Sequence, residues 1–178
     1  MKKRKIKGNL KFCSANCKYS FLGSFVKLSI MKKTTVVLVQ LGSPKSPSKR
    51  DVKVFLKEFL GDPRVVDMNP LAWKVILNLF VLPFRPKSSA QKYERIWNGH
   101  TFPLIENTQN LAKKLEQKVD SNISVREAYI LSSPRIEEVL SECEGEVLIL
   151  PQFPQYSEST TASVIDVVSH SLKKLVNI

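Results

Sequence analysis

The chain is poor in the residues that build metal centres and nucleophilic sites. Its 178 residues contain two histidines and three cysteines. His100 and His170 sit in Asn98-Gly99-His100-Thr101 and Val168-Ser169-His170-Ser171, contexts that suit surface residues. No cluster of His, Cys, Asp and Glu has metal-ligand spacing. Cys13, Cys17 and Cys143 are too few for a disulfide framework, and a lone Cys-x-x-x-Cys lacks a second ligand pair. They read as unpaired thiols of a reducing cytosol. Glycine is scarce as well, at six residues. Gly42-Ser43-Pro44 lacks the spacing and the lysine of a phosphate loop, and no Gly-x-Ser-x-Gly elbow is present. The apolar stretch Leu71–Leu82 is too short to cross a bilayer and is interrupted by Lys74 and Asn78.

Acidic residues are missing from the first 33 positions, which carry ten Lys or Arg. That leader accounts for most of the formal net charge of +12; the other 145 residues hold 18 basic and 16 acidic side chains. The body of the chain is nearly balanced, so no nucleic-acid partner is expected. No small-residue cleavage site follows the leader's apolar stretch Tyr19–Ile30, which argues against a secretory signal. Three readings of the leader stay open. It is an upstream extension before a natural start at Met31, an organelle-targeting peptide within residues 1–30, or a solvated basic arm. The first and third place the chain in the cytoplasm and the second in an organelle. Residues 34–178 form the α/β domain.

What is present is an alternation of strands and helices. Thr34–Gln40 is β-branched and almost wholly apolar, as a strand covered on both faces should be. Ser48 is a candidate N-cap for a helix over Lys49–Leu60, with Val52, Phe55, Leu56, Phe59 and Leu60 on one face, and Gly61-Asp62-Pro63 stops it. Leu71–Leu82 reads as a helix that is apolar nearly all round. It is either buried core, the reading that composition favours, or an exposed apolar lip that meets a greasy ligand or a membrane surface. Pro83 and Pro86 are expected to break the chain before helix resumes over Lys87–Trp97 and again over Leu104–Val119. Strands at Ser124–Ile130 and Glu146–Leu150 flank a helix at Pro134–Cys143, and a last helix spans about Thr160–Val176. The order implies a three-stranded parallel sheet with helical crossovers and an open edge.

The richest segment is Leu150–Ser163, Leu-Pro-Gln-Phe-Pro-Gln-Tyr-Ser-Glu-Ser-Thr-Thr-Ala-Ser. It joins a buried strand to a helix, at the strand end where open α/β sheets hold ligands. Phe153 and Tyr156 offer flat faces beside a cluster of hydroxyls, which suits a flat, partly polar ligand.

This loop resembles the Pro-Gln-Tyr-Ser-x-Ser-Thr-Thr-Gly-Ser signature of ferrochelatases. Four further segments resemble the same family in order: Thr34–Pro44, Phe59-Leu60-Gly61-Asp62-Pro63-Arg64-Val65-Val66-Asp67, Arg85-Pro86-Lys87 with Tyr93-Glu94-Arg95-Ile96-Trp97, and Pro134–Leu140. The resemblance implies the first of two Rossmann-like halves with a porphyrin cleft between them. It implies an enzyme of heme biosynthesis, a lyase inserting ferrous iron into protoporphyrin IX, with iron and porphyrin as substrates. Arg85 would pair with a porphyrin propionate, since guanidinium binds carboxylates as a fork. Tyr93, Phe153, Tyr156 and Ser159 would line or support the cleft, and Leu71–Leu82 would form the apolar lip at its mouth, a surface for peripheral membrane contact. Glu158 stands where animal-type members place an iron–sulfur cysteine, so no cluster and no tightly bound cofactor is expected.

The departures bear on activity. Ile130-Leu131-Ser132 replaces the family's usual Arg-Tyr-Gly, and Thr101-Phe102-Pro103 its Gly-Ser-Pro. The family's catalytic His and Glu have no counterpart in these 178 residues, so no catalytic residue is assigned. The expectation is an N-terminal half that lacks insertion activity alone. The alternatives are a non-catalytic porphyrin- or heme-binding module, half of a split chelatase, or a chelatase for another tetrapyrrole.

Overall fold

The computed structural model describes residues 11–12 and 33–176. Most of the leader, with Cys13, Cys17 and Met31, lies outside the described residues. The fold is α/β, built on a parallel sheet of order β1-β4-β2-β3. The strands are β1 (Lys11–Phe12), β2 (Thr34–Gln40), β3 (Ile123–Tyr129) and β4 (Glu146–Pro151). The three strands expected from the sequence are all there. The two-residue β1 adds to them by pairing with Leu148 and Ile149 on the outer side of β4. β2 is central. It pairs with β3 along its whole length and with β4 from Thr34 to Val39.

Helices cover both faces of this sheet. Val37, Val39, Ala128 and Ile149 pack against α5 (Ile136–Glu142) and α6 (Ser163–Val176) through Ile136, Val139, Leu140, Val164 and Val168. Leu38 and Val125 face Ala112 of α4 (Pro103–Glu116) on the other side. Covering on both faces is why β2 reads as an unbroken apolar run rather than an alternating one. Cys143 is buried in the first of these clusters, where its thiol donates to the Val139 carbonyl at 3.1 Å and burial pushes its pKa up.

A third layer is made by α1 (Lys49–Gly61), α2 (Pro70–Ile76) and α3 (Leu82–Glu94), with a five-residue π turn, Leu77–Val81, between α2 and α3. Ser48 caps α1 by accepting from the Asp51 N–H, and Val52, Leu56 and Leu60 bury against Leu77 and Leu82. Two expectations need correction here. The chain does not break at Pro83 and Pro86. Pro83 falls in the first turn of α3, where a missing N–H removes no bond from that helix's own ladder. The π turn re-registers the ladder just before it, with the Leu82 N–H donating to Leu77. Pro86 alone forfeits an internal bond, and its ring is buried. The second correction concerns the favoured reading of Leu71–Leu82 as core. No residue of α2 is buried, and Leu71, Val75, Leu79, Phe80 and Phe84 are exposed, the last at 74%. α1 offers one stripe for burial, and among the described residues nothing covers the other side. No described helix is long and apolar enough to cross a membrane.

Polar contacts tie this layer to the sheet. Asp62 accepts from the Arg64 N–H at 2.8 Å through Oδ1 and from the Ser163 hydroxyl at 2.8 Å through Oδ2. Arg64 forks onto Asp166 of α6, with Nη2 donating to Oδ1 at 3.2 Å and Nε to Oδ2. The segments Phe59–Asp67 and Leu150–Ser163, far apart in sequence, are therefore in contact through the start of α6. Gln152 completes the tie, its N–H donating to the Val39 carbonyl at 2.8 Å and its own carbonyl accepting from Gln40 Nε2 at 2.9 Å.

Two glycines give opposite expectations. Gly145 has φ +83°, and a Cβ there would overlap the Lys33 carbonyl oxygen, which accepts from the Glu146 N–H. Gly145→Ala should cost about 2 kcal/mol or more in urea unfolding. Gly61 ends α1 with open space around it, so Gly61→Ala should be neutral or stabilising by up to about 1 kcal/mol. The Asp166 carboxyl is held below its ordinary range by the hydrogen bond from Arg64. A lowered folded pKa means that the stabilisation is present above the unfolded value, about 3.9, and is lost as pH falls through the folded one. Asp166 is 56% exposed, so Asp166→Asn should cost less than about 1 kcal/mol at neutral pH. In melts across the acid range the gap to the wild type should close.

Candidate functional site

A cavity of about 680 Å³ opens beyond the C-terminal end of β2. This is the sheet edge at which such folds hold ligands, and the volume lies within the range of small-molecule sites, about 300–1,000 Å³. Leu41, Gly42 and Ser43 form one side as the chain leaves β2. Gly42 adopts φ +97°, a left-handed conformation that turns the chain sharply out of the strand. Phe55, Leu56 and Phe59 of α1 form the second side. The third is one face of α3 and its extension, where Arg85, Ser89, Lys92, Tyr93 and Ile96 recur at helical spacing. Phe102, Pro103 and Leu104, at the start of α4, complete the lining.

Aromatic rings fix the shape. Phe55 and Phe59 stack with centroids 6.1 Å apart. The Tyr93 ring meets Phe55 edge-on at 6.0 Å and Phe102 at 5.5 Å, and Phe102 meets Trp97 at 4.7 Å. Edge-to-face rings at these distances hold one another in place. Burial pushes the pKa of the Tyr93 hydroxyl up. Arg85 and Lys92 are exposed at the cavity, and no lining residue is acidic. An apolar slot with flat walls and two cations suits a flat apolar molecule carrying carboxylates. No carboxylate or imidazole is among the lining residues.

The residues singled out in the sequence fall into two places. Arg85 and Tyr93 come together in the cavity. Phe153, Tyr156 and Ser159 lie on the neighbouring loop after β4 and do not line it. Phe153 packs against the α5–α6 core cluster, and Tyr156 is 68% exposed. Ser159 sits in a π turn, Glu158–Ala162, with its hydroxyl 3.4 Å from that of Ser157, which in turn lies 2.6 Å from Thr160 Oγ1. Sequence reading missed Lys92 and Ser89, although their spacing from Arg85 was a usable signal; the expected break at Pro86 hid it. Phe55 and Phe59 were recognised only as a helix face for burial. They serve the core with one edge and the cavity with the other.

The departures from the family pattern also take definite places. Phe102 is 2% exposed and sits at the centre of the aromatic group. Ile130 and Leu131 line a separate groove with Val54 and Val167, and Ile130 also packs against the α5–α6 core cluster. His100 and His170 are exposed and outside the cavity, as their sequence contexts suggested. Among the described residues no group of three His, Cys, Asp or Glu could hold a metal ion.

Residues 33–178 match the sequence profile of the family described as Ferrochelatase. Among curated relatives, the ferrochelatases of Francisella tularensis subsp. tularensis (strain WY96-3418), subsp. mediasiatica (strain FSC147) and subsp. novicida (strain U112) are each 42% identical over 149 residues. Each match covers 80% of this chain and 44% of the relative, so the chain spans less than half the length of the curated relatives it matches. The profile match over most of the chain, joined to an α/β fold with a slot at the end of its central strand, establishes the point: this chain belongs to the ferrochelatase family.

Proposed function

We propose that the chain forms one wall of the porphyrin cleft of a ferrochelatase, the activity that inserts ferrous iron into protoporphyrin IX in heme biosynthesis. The observation that carries this reading is the aromatic cavity with Arg85 and Lys92 at its edge and no acid in its lining. The ring system packs against Phe55, Phe59 and Tyr93, and the propionates reach Arg85 and Lys92. Phe153, Tyr156 and Ser159 support the cleft from the adjacent loop. Iron and porphyrin are substrates, and the reading needs neither a resident cofactor nor an iron–sulfur cluster. The exposed ridge of Leu71, Val75, Leu79, Phe80 and Phe84 supplies a peripheral contact with a membrane surface.

Metal insertion requires two pyrrole protons to leave, so a base must stand near the ring nitrogens. The cavity lining supplies none. That favours binding without turnover by these residues alone, with the base and the opposite wall coming from the part of the relatives that the match leaves out. A porphyrin-binding module, or half of a split chelatase, is the second reading on the same observation.

Two measurements test this. Titrating the chain with protoporphyrin should shift and sharpen the Soret band. Arg85→Ala and Lys92→Ala should each weaken binding about threefold at low salt, and added salt should weaken the wild type. With the dimethyl ester, which lacks the carboxylates, the two variants should bind as the wild type does. An unchanged spectrum at high micromolar protein would sink the cleft reading. Separately, the pure chain supplied with ferrous or zinc ion should give no metalloporphyrin above background. Robust turnover would place the base within this chain and refute the division of labour.

A further inference from the structure

One side of the cavity is held by a hydroxyl that lies outside it. β2 and β3 continue to pair past the end of their ladder. The Ile130 N–H donates to the Gln40 carbonyl at 3.1 Å, and the Leu131 N–H to the Leu41 carbonyl at 2.9 Å. There Gly42, at φ +97°, turns the chain out of the strand, and a backbone ladder cannot follow. A side chain takes over. Ser132 Oγ accepts the Ser43 N–H at 2.8 Å and donates its own proton to the Ser43 carbonyl at 2.7 Å. One hydroxyl thus satisfies both backbone groups of a residue 89 positions away in sequence.

The fit is close. A Cβ at position 42 would overlap Ser132 Oγ, so the serine hydroxyl fills the space that the glycine leaves. Among the described residues the buried Ser43 hydroxyl has no hydrogen-bond partner, and it does not compete for these bonds. Leu41, Gly42 and Ser43 line the cavity, whereas Ser132 does not. Without the clamp, Ser43 would keep an unsatisfied N–H and carbonyl next to a glycine pivot, and the Gly42–Ser43 edge could swing into the slot.

We propose that Ser132 is a positioning residue for the tetrapyrrole site: its hydroxyl pins the Gly42–Ser43 edge against which the macrocycle packs. The proposal rests on reading the cavity as a porphyrin wall. It gives Ser132, part of a tripeptide that departs from the family pattern, a role in binding that it exerts entirely through Ser43.

The test uses the whole chain with Ser132→Ala, Ser132→Thr and Ser132→Gly. Amide hydrogen exchange without ligand reads the clamp itself. The Ser43 N–H should exchange slowly in the wild type and in Ser132→Thr, and at least about tenfold faster in the Ala and Gly variants. Unchanged exchange in Ser132→Ala would overturn the clamp. Protoporphyrin titration reads its consequence. Ser132→Ala and Ser132→Gly should bind roughly fivefold more weakly, with a broader Soret band, and Ser132→Thr should restore both. A role confined to stability would not move the band shape of bound porphyrin. Equal affinity and band shape in wild type and Ser132→Ala would overturn the positioning role while leaving the cleft reading intact. A wild type that gives no spectral response would overturn both.

Discussion

The parallel ladder on both sides of β2 is the constraint on which everything else depends. Each of its neighbours runs the same way in a fixed register, so all the loops that leave the strands' C-terminal ends are delivered to one edge. Val37 and Val39 are buried on one face of this strand and Leu38 on the other, so helices hold it from both sides in the register that its two neighbours share. Leu41, Gly42 and Ser43 therefore emerge at a defined place. The aromatic slot is assembled around them by α1, α3 and the start of α4. A carboxylate and a guanidinium at the α1–α2 turn then fasten that outer layer to the first turn of α6.

Much of this was legible in the sequence, for physical reasons that differ from element to element. β2 announced itself because a doubly covered parallel strand must be apolar throughout. α1 carried its own punctuation in Ser48 and Gly61-Asp62-Pro63. The α2–α3 region was not legible. Proline normally ends a helix, but Pro83 falls in the first turn of α3, and the π turn before it leaves no mark in composition. Apolar content shows that Leu71–Leu82 seeks burial; it does not show whether a partner exists to bury it, and α1 accommodates only one stripe.

The site was legible by halves. Arg85 and Tyr93 stand in conspicuous segments and on the same face of α3, and they meet in the cavity. Phe153, Tyr156 and Ser159 were singled out because their loop leaves a buried strand. That loop leaves β4, however, whereas the slot is built beside β2, next to α1 and α3. Adjacent strands send their loops to the same edge without sending every side chain into the same hollow. The dual use of Phe55 and Phe59 was invisible for a similar reason, since a helix face shows in sequence as one stripe whether it meets one neighbour or two.

The five-residue π turn between α2 and α3 has a geometric consequence. An α-helix advances about 100° per residue, so one additional residue in a turn offsets everything before it from everything after it by about that angle. Here it offsets the α2 stripe of Leu71 and Val75 from the α3 face that carries Arg85 and Lys92. The two share a nearly continuous helical rod and yet look in different directions. The turn acts as a phase spacer, letting one rod address two environments.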